Sequence, residues 1–407
     1  MNTIVTYTRR ALLGGLRRYL AHPSRLLQVV TGPRQVGKTT LATQLAESWP
    51  GATLFVAADQ PVTPDAAWLG RQWQEARRLP PRGRADTLLV LDEVHKITRW
   101  SEAVKGMFDE DRRLGHPLRV VLLGSSALLV QRGLRESLAG RFEVHRHPHW
   151  SFQECRDAFR VSLDDYLLFG GYPAALGLRK DPERWARYVR DAIIETVIGK
   201  DVLLMTPVQK PALLRQAFGM ICAHPAELLS YQKMLGQLAE AGNNATLAHY
   251  VQLLSAAFLL APLERWSGSR LRQKGSVPKF VLRDNSLVTA QAGAPPKLLR
   301  RDPARWGRLV ENAVGANLTV LAEMDGCSLF YWRDRQDEVD YVLRKGNRLV
   351  AIEVKSGSGA PDLSGMAAFV RRFPGARRVL IGPRRAPKGI EAVSLRSFML
   401  RPQQVLP

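Results

Sequence analysis

"VVTGPRQVGKTTL", residues Val29 to Leu41, decides the fold. Within it, Gly32 to Thr39 read G-x-x-x-x-G-K-T. The preceding "LLQVVT" is a β-branched apolar run that reads as a buried strand. The following "TLATQLAESW" carries apolar residues at helical spacing. Strand, glycine loop and helix in that order form a phosphate-holding loop. Gly32 and Gly37 let the backbone curl until its N–H groups face phosphate, and the helix N-terminus adds partial positive charge. The stretch Gly32, Pro33, Arg34, Gln35, Val36, Gly37, Lys38, Thr39 and Thr40 is therefore expected to bind ATP. Lys38 is expected to reach the β- and γ-phosphates, and Thr39 to ligate Mg²⁺.

A nucleotide–Mg²⁺ site needs an acid at the end of a neighbouring strand. "TLLVLDEVHK" supplies two, Asp92 and Glu93, directly after four apolar residues. Asp92 is assigned to the metal and Glu93 to orienting or deprotonating the attacking water. "LRVVLLGSS" reads as a third strand whose polar end, Ser125 and Ser126, comes beside the γ-phosphate if the strands are neighbours. Ser126 is carried as a catalytic candidate. "SALLVQRGLRESLAGR" then reads as a helix ending at Gly140, and "FEVHRHPHW" as a strand. Arg141, just past that helix, is either an arginine finger for a neighbouring subunit or a helix-end cation that favours the dipole. Arg135 is a weaker candidate for the same role.

Composition narrows the partners. The formal net charge of +22 predicts attraction to a polyanion, unless it is only an arginine-rich composition. The excess is concentrated: Arg371 to Pro407 holds nine basic residues and one acid, and Ala261 to Arg283 holds six and one. That favours a polyanion partner. Three scattered cysteines exclude a disulfide framework, and the histidines of "HRHPH" read as structural or surface residues. No apolar run reaches the roughly 18 residues of a membrane span. Arginines flank the short N-terminal apolar run with no cleavage site after it, so the chain is expected to be cytoplasmic, without a membrane partner.

Further along, "LDDYLLFGGYPAALGL" reads as helix, glycine turn, helix, with Gly170 and Gly171 as a hinge or a plain tight turn. "YQKMLGQLA", "ATLAHYVQLLSAAF" and the two strands "FLLAPLERW" and "KFVLRDN" follow the order of a winged helix. In that reading Asn243, Asn244, Thr246 and His249 face DNA, and Arg270, Arg272 and Lys274 of the wing meet phosphates. A winged helix used only for packing is the alternative. At the far end, Asp340, Glu353 and Lys355 fall at D-x₁₂-E-x-K on a probable strand pair. Alternation puts Glu353 and Lys355 on one face. Asp340 and Glu353 are metal-ligand candidates, and Glu311 can join them from a helix. Two carboxylates and a lysine suit metal-assisted phosphodiester chemistry.

Taken in order, "GPRQVGKTTL", "LDEVHK", "LLGSSALL", "SLAGR", "WSFQEC", "FGGYPAAL", "FYWRDRQDEVDYVL" and "IEVKSG" resemble a family. It is that of bacterial and archaeal AAA+-superfamily P-loop ATPases whose C-terminal half holds a poorly characterised restriction-endonuclease-like, PD-(D/E)xK domain. One departure is "HRHPHWSF", where that family usually has leucine-proline-leucine-serine-phenylalanine. The resemblance implies an α/β chain with a P-loop AAA+ core (1–155), a helical lid (156–205), a winged-helix domain (206–290) and a nuclease-like α/β domain (291–407). It implies ATP and Mg²⁺ as cofactors and a hexameric ring; Arg141 acting on a neighbour is the sequence reason to expect a homo-oligomer. The leading expectation is an ATP-driven motor that remodels or translocates on DNA, RNA being a second possible polyanion. One alternative is an ATP-regulated nuclease. The other is a nucleotide-dependent switch that assembles or regulates proteins.

Overall fold

The computed structural model describes residues 7–407 except 81, 84, 125–132, 134–136, 204–207, 239–241, 268–274, 358, 360, 383 and 384. Ser125, Ser126, Arg135, Arg270, Arg272 and Lys274 therefore lie outside the described residues. The chain divides into two units, Met1–Pro148 and His149–Pro407.

In the first unit, five strands form one parallel sheet: β1 (Leu27–Thr31), β2 (Thr53–Ala57), β3 (Thr87–Asp92), β4 (Leu118–Gly124) and β5 (Phe142–Arg146), in the order β2-β3-β4-β1-β5. The central strands are apolar at successive positions because both faces of the sheet are covered. Leu27, Val29, Leu89, Leu91, Val120 and Leu122 pack on one face with Trp73 and Phe108. These two aromatics come from the helices Ala66–Arg78 and Trp100–Leu114. The alternate residues Val30, Leu88, Val90, Val121 and Leu123 pack on the other face with Leu13, Leu16, Leu41 and Leu45. Those leucines belong to the helices Arg10–Leu20 and Lys38–Glu47. Each such side chain contributes roughly 1.5–3 kcal/mol by leaving water. Since the strands are parallel, the loop after β1 and the acids that end β3 open on the same edge of the sheet, with β4 between them.

The second unit begins with short helices. Ser151 caps Phe152–Phe159 in a reciprocal pair with Glu154, and Ser162 caps Leu163–Phe169. Gly170 (φ 71°) then turns the chain toward the helix Pro173–Leu176. Of the two readings of this glycine pair, the tight turn fits. A Cβ on Gly170 would stand 1.8 Å from Asp284 Oδ1, and Gly171 N–H donates to Asp284 Oδ2 at 2.8 Å. The turn is pinned to a buried carboxylate.

The helices Pro211–Ala223, Tyr231–Leu235 and Asn244–Ala256 lead into a two-stranded antiparallel hairpin, β6 (Leu260–Leu263) and β7 (Lys279–Leu282). A long helix, Pro303–Asp325, is capped by Asp302 at its start and by Gly326 (φ 66°) at its end. It packs on a mixed sheet of β8 (Ser328–Asp334), β9 (Asp337–Lys345), β10 (Arg348–Val354), β11 (Arg377–Gly382) and β12 (Glu391–Ser394), ordered β12-β11-β10-β9-β8. Strands β8 to β10 run antiparallel, and β10 to β12 parallel. Among the described residues no helix is long and apolar enough to cross a membrane.

Candidate functional site

The loop between β1 and the helix Lys38–Glu47 is shaped by two glycines for different reasons. Gly37 takes φ 90° and stands at the helix N-cap, a conformation that costs other residues about 1 kcal/mol or more. Gly32 is required by its neighbour: a Cβ there would lie 2.1 Å from the carbonyl oxygen of His147. His147 follows β5, and its N–H donates to Thr31 O at 2.7 Å. Its ring is buried, with Nδ1 2.9 Å from Arg9 Nη1. Gln35 also lies in the left-handed region, at φ 59°.

Lys38 is 7% exposed and folds back on the loop, donating to the carbonyls of Gly32 (2.9 Å) and Pro33 (2.6 Å). The next residue reaches across the sheet edge. Thr39 Oγ1 donates to Asp92 Oδ2 at 2.7 Å, and Asp92 Oδ1 accepts from Glu93 N–H at 2.9 Å. Burial pushes the Asp92 carboxyl above its usual range, while Thr39 and Lys38 pull it back. Glu93 leaves the strand in the left-handed region (φ 54°), with its carboxylate 3.3 Å from His95 Nδ1. The structure thus brings Lys38, Thr39, Asp92 and Glu93 to one edge. A hydroxyl and a partly desolvated carboxylate are hard oxygen donors of the kind Mg²⁺ takes, so the set fits a nucleotide-bound Mg²⁺. The contact between His95 and Glu93 was not foreseen; "DEVH" was its only local sign.

Arg141 lies elsewhere. It makes a two-pronged pair with Asp109, Nε to Oδ1 at 2.7 Å and Nη2 to Oδ2 at 2.9 Å. It precedes β5, which pairs with β1 from Leu27↔Phe142 to Thr31↔Arg146. Arg141 is therefore at the opposite end of the strands from its own phosphate loop, roughly 15 Å along β1.

In the second unit, Asn243 caps the helix Asn244–Ala256 and accepts from both Thr246 N–H (2.8 Å) and Thr246 Oγ1 (3.0 Å). The Thr246 hydroxyl is engaged in this cap, while Asn244 and His249 are exposed. The same helix buries Leu247, Tyr250, Val251 and Leu254.

The C-terminal acids meet where the helix Pro303–Asp325 crosses β9 and β10. Ile352 pairs with Tyr341, so Asp340 and Glu353 lie one step further along adjacent strands. Gly315 leaves room for the Tyr341 hydroxyl, which donates to Glu311 O at 2.8 Å; a Cβ there would stand 2.4 Å from it. Lys355 Nζ donates to Glu353 Oε1 at 2.8 Å. Glu311 of the helix and Asp340, Glu353 and Lys355 of the strands are thus gathered in one place. A fifth residue, Lys279 of β7, is inserted among them, 2.7 Å from Glu311 Oε1. Burial alone would lower the Lys279 ammonium, but Glu311 and Asp340 outweigh it and hold it well above its usual value. One ammonium cannot satisfy the whole cluster. Burial raises both Glu311 and Glu353; their lysine neighbours pull them back and Asp340 pushes them up further. In the sequence Lys279 is only the first residue of a short apolar strand, counted with the surface charge.

Residues 24–156 match a family described as an AAA domain. Residues 160–298 and 306–398 match two domains of unknown function, DUF8612 and DUF4143. The uncharacterized proteins Rv2008c of Mycobacterium tuberculosis and Mb2031c of Mycobacterium bovis are each 29% identical to this chain over 360 residues, 88% of this chain and 75% of theirs. Among solved structures, the Walker-type ATPase PABY2304 of Pyrococcus abyssi is 12% identical with a TM-score of 0.45, covering 70% of this chain and 96% of its own. The RuvB Holliday junction branch migration motor of Thermotoga maritima is 18% identical with a TM-score of 0.32, covering 62% and 89%. An AAA domain implies nucleotide binding, and it is followed here by two domains of unknown function.

Proposed function

We propose that this chain hydrolyses ATP at the loop Gly32–Thr39 and uses the energy to remodel DNA or to move along it. The observation that carries the first half is the bond from Thr39 to Asp92, which ties the loop to the acid-bearing strand. With ATP bound, Lys38 exchanges the carbonyls of Gly32 and Pro33 for β- and γ-phosphate oxygens. Thr39, and Asp92 through water, would hold Mg²⁺, which would draw charge from the phosphates. Glu93 orients the attacking water and takes its proton. His95 Nδ1 stands 3.3 Å from the Glu93 carboxylate.

The second half rests on charge and order. A chain of net charge +22 attracts a polyanion. The helix Asn244–Ala256 exposes Asn244 at its start and His249 in its second turn. It is followed by the β6–β7 hairpin, in the order of a winged helix. Arg141, remote from its own phosphate loop, serves a neighbouring subunit, so the working form is a homo-oligomer. Release from Asp109 is then part of assembly.

The test is ATP turnover with duplex, single-stranded and branched DNA, with RNA as competitor, at several salt concentrations. Stimulation by one DNA form, weakening as salt rises, supports the reading. Turnover indifferent to every nucleic acid would move the chain to the class of nucleotide switches acting on proteins.

A further inference from the structure

The acid cluster of the C-terminal sheet already holds a cation. Lys279 is fully buried. Its Nζ lies 2.7 Å from Glu311 Oε1 and 3.6 Å from both Glu338 Oε1 and Asp340 Oδ1, and 5.0 Å from the centre of the Tyr341 ring. Two of these acids are among those that the sequence pattern assigns to a divalent ion. Their other oxygens are engaged as well. Glu311 Oε2 takes Arg308 (3.1 Å), and Asp340 Oδ2 takes the Val354 N–H (2.8 Å). Glu353 Oε1 takes Lys355, which leaves Glu353 Oε2 buried without a hydrogen-bond partner. A divalent cation held by one or two carboxylates needs free oxygens on them facing one empty point, where water completes its shell. Among the described residues no three His, Cys, Asp or Glu side chains are so placed. As arranged, these acids do not fit Mg²⁺.

We propose that Lys279 is the resident cation of this cluster, standing where a nuclease of this architecture would hold its metal, so that the domain is a metal-free fold and not a nuclease. An ammonium and a divalent ion repel each other, and the charge that Glu311 and Asp340 face is the Lys279 ammonium. Lys279 is held there by its strand. The hairpin that carries it is joined to the sheet through Trp266 N–H to Tyr331 O (2.7 Å) and Tyr331 N–H to Glu264 O (3.2 Å). The Tyr331 hydroxyl donates to Val277 O. Trp266 packs with Trp332, Val339, Val342 and Phe369. Swinging Lys279 out would lift the hairpin from this core. The ion pairs therefore join the hairpin to the sheet, which is the use the acids now have. Nothing in this inference depends on the ATPase reading.

Mn²⁺ uptake by the full chain, stripped with chelator and free of nucleotide, tests it by electron paramagnetic resonance and thermal melting. The wild type is expected to take up no Mn²⁺ that Asp340→Asn removes. Lys279→Met is expected to melt lower in EDTA and to take up about one Mn²⁺ per chain, which restores its melting temperature. Adding Asp340→Asn to Lys279→Met should abolish that uptake. Wild-type uptake that disappears in Asp340→Asn overturns the proposal, as does a folded Lys279→Met that takes up none. If Lys279→Met does not fold, the comparison of wild type with Asp340→Asn decides alone. Mn²⁺-dependent cutting of end-labelled DNA that Asp340→Asn abolishes also overturns it.

Discussion

Thr39 Oγ1 donates to Asp92 Oδ2 at 2.7 Å. This bond spans the edge of the parallel sheet, from the residue after Lys38 to the last residue of β3. It gathers a hydroxyl, a desolvated carboxylate and the loop ammonium at the site proposed for a nucleoside triphosphate and its metal. The rest of the nucleotide account depends on that placement.

Glu93 stands one residue beyond, outside the strand. The base role proposed for it would separate binding from chemistry. Glu93→Gln is expected to bind ATP as tightly as the wild type and to turn it over about 10²–10⁴-fold more slowly. Fluorescent nucleotide titration and steady-state turnover measure the two. A variant as fast as the parent would remove Glu93 from the mechanism.

Arg141 should show its role only between subunits. Arg141→Ala is expected to bind nucleotide and melt normally, since its pair with Asp109 is at the surface. Turnover should fall by about 10³-fold or more if the arginine completes a neighbour's site. Mixing Arg141→Ala with Glu93→Gln subunits should recover part of the activity, because some sites then combine an intact base with an intact arginine. Undiminished turnover in Arg141→Ala alone would leave the residue as a helix-end cation.

Gly32 makes a stability prediction. The added Cβ of Gly32→Ala would meet the His147 carbonyl at 2.1 Å, with backbone on both sides of the clash. The phosphate loop must shift away from β5, at a cost of about 1–3 kcal/mol in urea unfolding. Unchanged stability would mean that the loop and the residues after β5 are less closely packed than the geometry states.

What the sequence made legible is what lies close together along it. The phosphate loop is one continuous motif, and its strand and helix are its immediate neighbours. Asp92 and Glu93 follow an apolar run that ends at a sheet edge. Asp340 and Glu353 come together because β9 and β10 are consecutive strands. What stayed hidden depends on contacts between distant segments. Lys279 meets Glu311 and Asp340 only once the hairpin docks on the C-terminal sheet. His147 explains Gly32 only once β5 lies beside β1, and Asp284 explains the Gly170–Gly171 turn in the same way. Thr246 is a different case. Its engagement by Asn243 is a local cap that the sequence allowed, but the helix-order argument directed attention to a DNA-facing surface instead.

The most direct measurement is ATP turnover by the full chain and by Lys38→Ala, each with and without duplex, single-stranded and branched DNA. The account predicts Mg²⁺-dependent turnover in the wild type, raised by at least one DNA form and lost in Lys38→Ala, which should still fold. Equal turnover in the two proteins would contradict the assignment of the site at Gly32–Thr39.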